Sequence, residues 1–242
     1  MTQSAAGLPE YAKRLELLSA LKAYFEARAL SISKALELRA QLSVEGLQQL
    51  RHGYSQYFVS LLSAIDILKD AGEKFEEKLI SRLTSSSLSD GKQTLDYLRE
   101  LRNAIVHRNL DISARADFLE SIPILHLPTV SDRKGVKQLA PPRQYVLQLV
   151  SICEATIGPA VNEHLVETDM FRPVEEPNPI RFARLEDFLR SDPTIPAFVG
   201  QNIKKMAEHL DFAKADQDFF DSVRYQLRPL ELSLPLSVQA LL

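Results

Sequence analysis

Leu95-Asp-Tyr-Leu-Arg-Glu-Leu-Arg-Asn-Ala-Ile-Val-His-Arg-Asn109 decides how the chain is read. With Leu101 set at zero and 100° per residue, Thr94, Tyr97, Leu98, Ala104 and Ile105 fall within about 60° of it, a core-facing stripe. Asp96, Arg99, Glu100, Asn103 and His107 fall on the far side. The stretch therefore reads as an amphipathic helix with Asn109 as its C-cap. Arg102 breaks the pattern by projecting between Leu95 and Leu98, in an apolar arc that Val106 extends. A guanidinium there needs a partner or a cleft, because an unpaired buried charge costs several kcal/mol or more. Asp66, at the edge of another apolar stripe, is a candidate partner; a simple boundary role is its alternative.

The segment offers a fixed cation (Arg102), an amide (Asn103) and an imidazole that changes charge near neutral pH (His107) within about one and a half turns. Phosphodiester cleavage needs such a set: a group that moves a proton, and a cation where charge builds on the phosphate oxygens. Arg102 and His107 lie about 140° apart on an ideal helix. They line one pocket only at a groove edge, or when each comes from a different one of two symmetry-related subunits. A structural reading stands beside this one, since a histidine near a helix C-terminus is favoured by the helix dipole alone.

Arg102-Asn103-Ala104-Ile105-Val106-His107 resembles the Arg-x(4–6)-His signature of HEPN domains, including the polar residue after the arginine. The resemblance spans residues 10–168 in helix order, and the hexapeptide is its specific part. It implies an all-α, up-and-down bundle of four to five helices and a metal-independent endoribonuclease that acts on RNA as a homodimer. Such proteins serve as toxins, in phage defence or in RNA processing, and leave a 2′,3′-cyclic phosphate. His107 would move the proton, Arg102 would hold the scissile phosphate, and Asn103 would orient one or the other. Arg99 and Arg108 would contact RNA. No metal and no cofactor are expected, and a toxin of this kind would need an antitoxin partner. A catalytically silent helical module that binds a protein or a nucleotide is the alternative.

Composition is compatible with this. The chain has 242 residues, 45% hydrophobic and 25% charged, enough for a sizeable core. A net charge of −3 excludes a protein that coats nucleic acid by its overall field, so any RNA contact needs a local patch. Arg82, Arg99, Arg102, Arg108 and Arg115 supply one, unless Glu76, Glu77, Asp96 and Glu100 balance it. Eight glycines, with no Gly-x-Gly-x-x-Gly or phosphate-loop pattern, argue against a nucleotide fold. Cys153 is the single cysteine, inside an apolar helical pattern, so a buried thiol is expected. Residues 1–10 lack a basic start and an apolar run, and no stretch is long enough to span a bilayer. No membrane contact and a cytoplasmic location are therefore expected. The five histidines are scattered and none stands three or four residues from another, so no metal set is expected.

Outward from the signature, leucine spacing predicts helices at about 10–43 (one, or two bent near Ser31–Ser33), 44–70, 73–84 and 143–167, the last kinked at Gly158-Pro159. Lys13, Arg14, Lys22, Arg28 and Lys34 read as the solvated face of the first, with RNA contact as the alternative. Residues 110–141 break the pattern with Pro123 and Pro128. They read as a long excursion with a hairpin around Lys134-Gly135, and His126 there is a second candidate for RNA chemistry. His52 reads as structural and His164 as solvated. The bundle is assigned to 9–168. Residues 169–242 read as a proline-rich linker (Pro173, Pro177, Pro179) followed by a small helical module with helices at about 181–190, 196–210 and 212–227, which packs against the bundle or, as the alternative, binds an antitoxin or supports a dimer.

Overall fold

A computed structural model gives the fold; it describes residues 7–69, 73–86, 90–132, 134–173, 178–191, 196 and 211–241. The architecture is an all-α bundle. Its helices are α1 (Gly7–Glu37), α2 (Val44–Lys69), α3 (Glu73–Ser86), α4 (Gly91–Arg108) and α5 (Val146–Glu167). After these come α6 (Asn178–Ser191), α7 (Phe212–Gln226) and the short α8 (Leu236–Gln239). The helix expected at 196–210 lies outside the described residues.

Two long helices frame the bundle. α1 runs unbroken through Ser31–Ser33 and stops at Glu37, short of the expected Ser43. Ser43 is the N-cap of α2, as its residue type and place before Val44 predict, its Oγ accepting from the Gly46 N–H at 3.1 Å. Where α1 and α2 cross, a side chain on Gly53 would stand 2.9 Å from the Ser31 carbonyl and 2.9 Å from the Ala35 Cβ, so only glycine fits. Leu18, Leu21, Phe25 and Ile32 of α1 interlock there with Tyr54, Phe58, Leu61 and Ile65 of α2, all at most 1% exposed. α4 packs on α2 and α3, and α5 packs on α3.

The excursion after α4 holds two antiparallel hairpins: β1 (Ala116–Leu119) with β2 (Ile122–Leu125), and β3 (Val130–Ser131) with β4 (Gln138–Leu139). The second is the hairpin expected around Lys134-Gly135. Tyr97 of α4 anchors its base by donating to the Pro128 carbonyl at 2.7 Å. The first hairpin was not expected. It turns at Glu120 and Ser121, both at positive φ (48° and 67°).

The C-terminal segment is woven into the bundle. Phe220, Val223, Leu227 and Val238 are at most 2% exposed and belong to the same core as α1 and α5. The Leu227 carbonyl crosses α5 at Gly158, where an added Cβ would lie 2.1 Å from that oxygen. α5 is continuous through Gly158 and Pro159. Arg28 was read as part of a solvated face, but it is fully buried under this crossing. It donates to the Gln226 and Arg228 carbonyls (3.2 Å each) and stands 3.4 Å from Glu154. At the other end of α7, Asp216 accepts two hydrogen bonds from Arg181 of α6 (3.0 and 2.8 Å) and one from Tyr11 of α1 (3.0 Å).

His164 is also buried, 6% exposed, its ring 5.3 Å from that of Phe75. The expectation of a solvated histidine fails because α3 packs across this end of α5. Burial disfavours the charged imidazole and holds its pKa below the ordinary value. The unfolded chain then binds a proton at about pH 6.5 that the fold resists, so stability from this group is full above that pH and is lost as pH falls below it. Thermal melts at about pH 7.5 and 5.5 should therefore show a smaller acid-induced drop in Tm for His164→Phe than for wild type. Equal drops would mean that His164 titrates alike in both states.

Candidate functional site

α4 is fixed at both ends by its own sequence. Asp90 caps its start by accepting from the Lys92 N–H at 2.8 Å. Asn109 ends it in the left-handed conformation (φ 53°, ψ 36°), as its residue type predicts. Arg51 of α2 holds that end down, donating to the Asn109 side-chain oxygen at 2.6 Å and standing 3.8 Å from Asp111. This clamp was not read from the sequence, where Arg51 looks like any cation on a polar helix face.

Thr94, Leu95, Tyr97, Leu98, Leu101 and Ala104 are buried, so the stripe read around Leu101 is the core face. Val106 is 49% exposed, so the apolar arc that would have enclosed Arg102 is open at that end. The Arg102 guanidinium forms an ion pair with Asp66 of α2. The pair is only partly covered, with side chains 23% and 41% exposed. Exposed pairs of this kind are worth about 0–1 kcal/mol, since water screens the charges. The Arg102 Nε is shielded from solvent and has no hydrogen-bond partner, so the guanidinium keeps an unused donor.

Three of the other four arginines of the expected basic patch, Arg82, Arg99 and Arg108, are matched to carboxylates. Arg99 grips Glu76 through two nitrogens (3.0 and 2.9 Å), which holds the Glu76 carboxyl below its usual range. Arg108 reaches back to the Glu100 carbonyl (3.2 Å) and carboxylate (3.4 Å). Arg82 pairs with Glu163. Each of these cations faces a carboxylate, so Arg99 and Arg108 do not stand as free cations. Arg115 is exposed and has no ion pair among the described residues.

His107 is exposed, one turn beyond Asn103, and its side chain makes no hydrogen bond or ion pair among the described residues. The Asn103 amide donates to Glu100 at 3.4 Å. α4 thus presents an open imidazole and an amide on one side and a surface guanidinium on another. A single chain does not bring Arg102 and His107 to one point. His126 is elsewhere: its Nε2 lies 2.6 Å from Asp117, its ring packs edge-on against Tyr145 at 5.1 Å, and its side chain is 11% exposed. It pins the first hairpin to the chain before α5. His52 is exposed on α2, and Cys153 is buried, where desolvation pushes its thiol pKa up.

Among the described residues no three His, Cys, Asp or Glu side chains gather as a metal site, and no helix is long and apolar enough to cross a membrane. No family model matches the chain, and neither a curated protein nor a solved structure matches it.

Proposed function

We propose that the outer side of α4 is the working surface of a HEPN-like, metal-independent endoribonuclease, with a complete site formed between two copies of the chain. The supporting observation is the open imidazole of His107 beside Asn103, on the same helix that carries the partly exposed guanidinium of Arg102. His107 takes or gives the proton of the 2′-hydroxyl or the leaving oxygen. Arg102 of the other copy meets the phosphate and stabilises the charge that develops on it. Asp66 holds the guanidinium in place until the phosphate replaces it, an exchange made easy by the partial exposure of their pair. The 2′-oxygen attacks phosphorus, the 5′-oxygen of the next nucleotide leaves, and the product end is a 2′,3′-cyclic phosphate. A toxin restrained by an antitoxin, a phage-defence effector and an RNA-processing enzyme all use this chemistry.

The test is to incubate end-labelled RNA with purified protein in EDTA. Fragments ending in a 2′,3′-cyclic phosphate are expected. Intact RNA in EDTA would overturn the reading.

The carboxylates on Arg99, Arg102 and Arg108 favour a second reading. In it, α4 is a catalytically silent surface that binds a protein or nucleotide partner, and Asp66 is a structural partner of Arg102.

A further inference from the structure

α1 and the extended stretch between Pro229 and Pro235 run side by side with an open groove of about 510 Å³ between them. The groove is far in sequence from α4, and nothing in the α4 chemistry uses it. Its α1 wall is a single helical stripe, with residues 29, 32, 33, 36 and 37 at spacings of three and four. Ile32 and Leu36 form the apolar part of that wall, and Leu230 and Leu232 face them from the extended stretch.

Two features of the groove point to one kind of occupant. The first is an unused strand edge. Residues 230–234 alternate between covered and open positions, as a strand does: Leu230, Leu232 and Leu234 turn inward, Glu231 and Ser233 outward. The backbone N–H and C=O groups of Glu231, Leu232 and Ser233 make no hydrogen bond with the described residues. An extended segment with such unpaired groups is a template for another strand. Pro229 and Pro235 confine the template to a short length, because proline cannot donate.

The second feature is charge. Glu37 and Glu231 are both exposed on the rim, and neither has an ion-pair partner among the described residues. The remaining charged rim residue, Arg39, is folded onto the end of α1, donating to the Leu36 and Leu38 carbonyls at 2.6 and 2.9 Å. Its charge is offset there by the negative end of the helix dipole. The rim is therefore left acidic.

We propose that this groove binds a short extended peptide that alternates apolar residues with lysine or arginine. The peptide lies against residues 231–233 as an added strand. Its apolar side chains enter between Leu36 and Leu232, and its basic side chains meet Glu37 and Glu231.

A displayed library of random heptapeptides, selected on the full chain, tests this. Sequences that alternate apolar and basic residues should be enriched on the wild type. The same selection on Glu231→Arg should lose the basic preference and gain an acidic one. A labelled peptide of the enriched sequence should bind at least about tenfold more weakly to Ser233→Pro, which removes one backbone donor, and N-methylation of the peptide backbone should have the same effect. Both substituted positions are exposed, and unchanged melting curves would show that the fold is intact. No enriched pattern would overturn the proposal, as would a pattern indifferent to both substitutions. A wild-type dimer that Ser233→Pro converts to monomer would also overturn it, by making a second copy the occupant.

Discussion

Replacing Glu154 with alanine is expected to lower the melting temperature by roughly 6–20 °C. Glu154 is 3% exposed and is the hub of the C-terminal crossing. One carboxylate oxygen accepts from the Tyr57 hydroxyl at 2.8 Å. The other accepts from the Leu230 N–H at 2.8 Å and stands 3.4 Å from the buried Arg28. Alanine leaves that guanidinium without its counter-charge in the core, a loss of about 3–5 kcal/mol. Whole domains are stable by only about 5–15 kcal/mol, so this is a large fraction. The cost comes from the uncompensated charge rather than from the pair as such. Arg28→Met with Glu154→Leu should therefore melt well above Glu154→Ala. A shift under about 2 °C for Glu154→Ala would mean that the crossing carries little of the stability.

The same cluster marks where the sequence stops being legible. Arg28 was grouped with Lys22 and Lys34 on an outer face, although at 100° per residue it lies about 120° from each of them and within about 60° of Leu21, Phe25 and Ile32. It is buried because the chain returns 198 residues later to offer it the Gln226 carbonyl. Periodicity reports which side of a helix is apolar and says nothing about a polar group satisfied from so far away. α4 was readable for the opposite reason. Its stripe, its start near Gly91 and its end at Asn109 depend on neighbours within a few residues. The hairpin around Gly135 announced itself by its turn residues, whereas β1 and β2 join through Glu120 and Ser121, which carry no turn signal of comparable strength.

The candidate site divides along the same line. Residue types and spacing gave the order of Arg102, Asn103 and His107 on one helix and the angle between them. Asp66 was legible as a charged residue at the edge of an apolar stripe, and the position of Arg102 called for a partner or a cleft. The pairings of Arg99 with Glu76 and of Arg51 with Asn109 depend on how α2, α3 and α4 pack. With the pairs of Arg82, Arg102 and Arg108, the Arg99 pair leaves Arg115 as the patch arginine without a carboxylate among the described residues.

Arg102→Ala and His107→Ala are each expected to lower RNA cleavage by at least about a hundredfold, the scale of a lost charge-stabilising or proton-moving group. Both side chains are on the surface, so their loss should leave the melting temperature within about 2 °C of wild type. That separates a chemical defect from a folding one. Asn103→Ala should cost less, since an amide that orients a neighbour neither moves a proton nor carries charge.

Mixing the two inactive variants tests the shared site most directly. In a symmetric dimer, a pair made of one Arg102→Ala and one His107→Ala chain has one site with both groups intact and one with neither. With free exchange, half the dimers are mixed, so cleavage should return to about a quarter of the wild-type rate. A mixture as inactive as either variant alone would contradict a site built from two copies of α4.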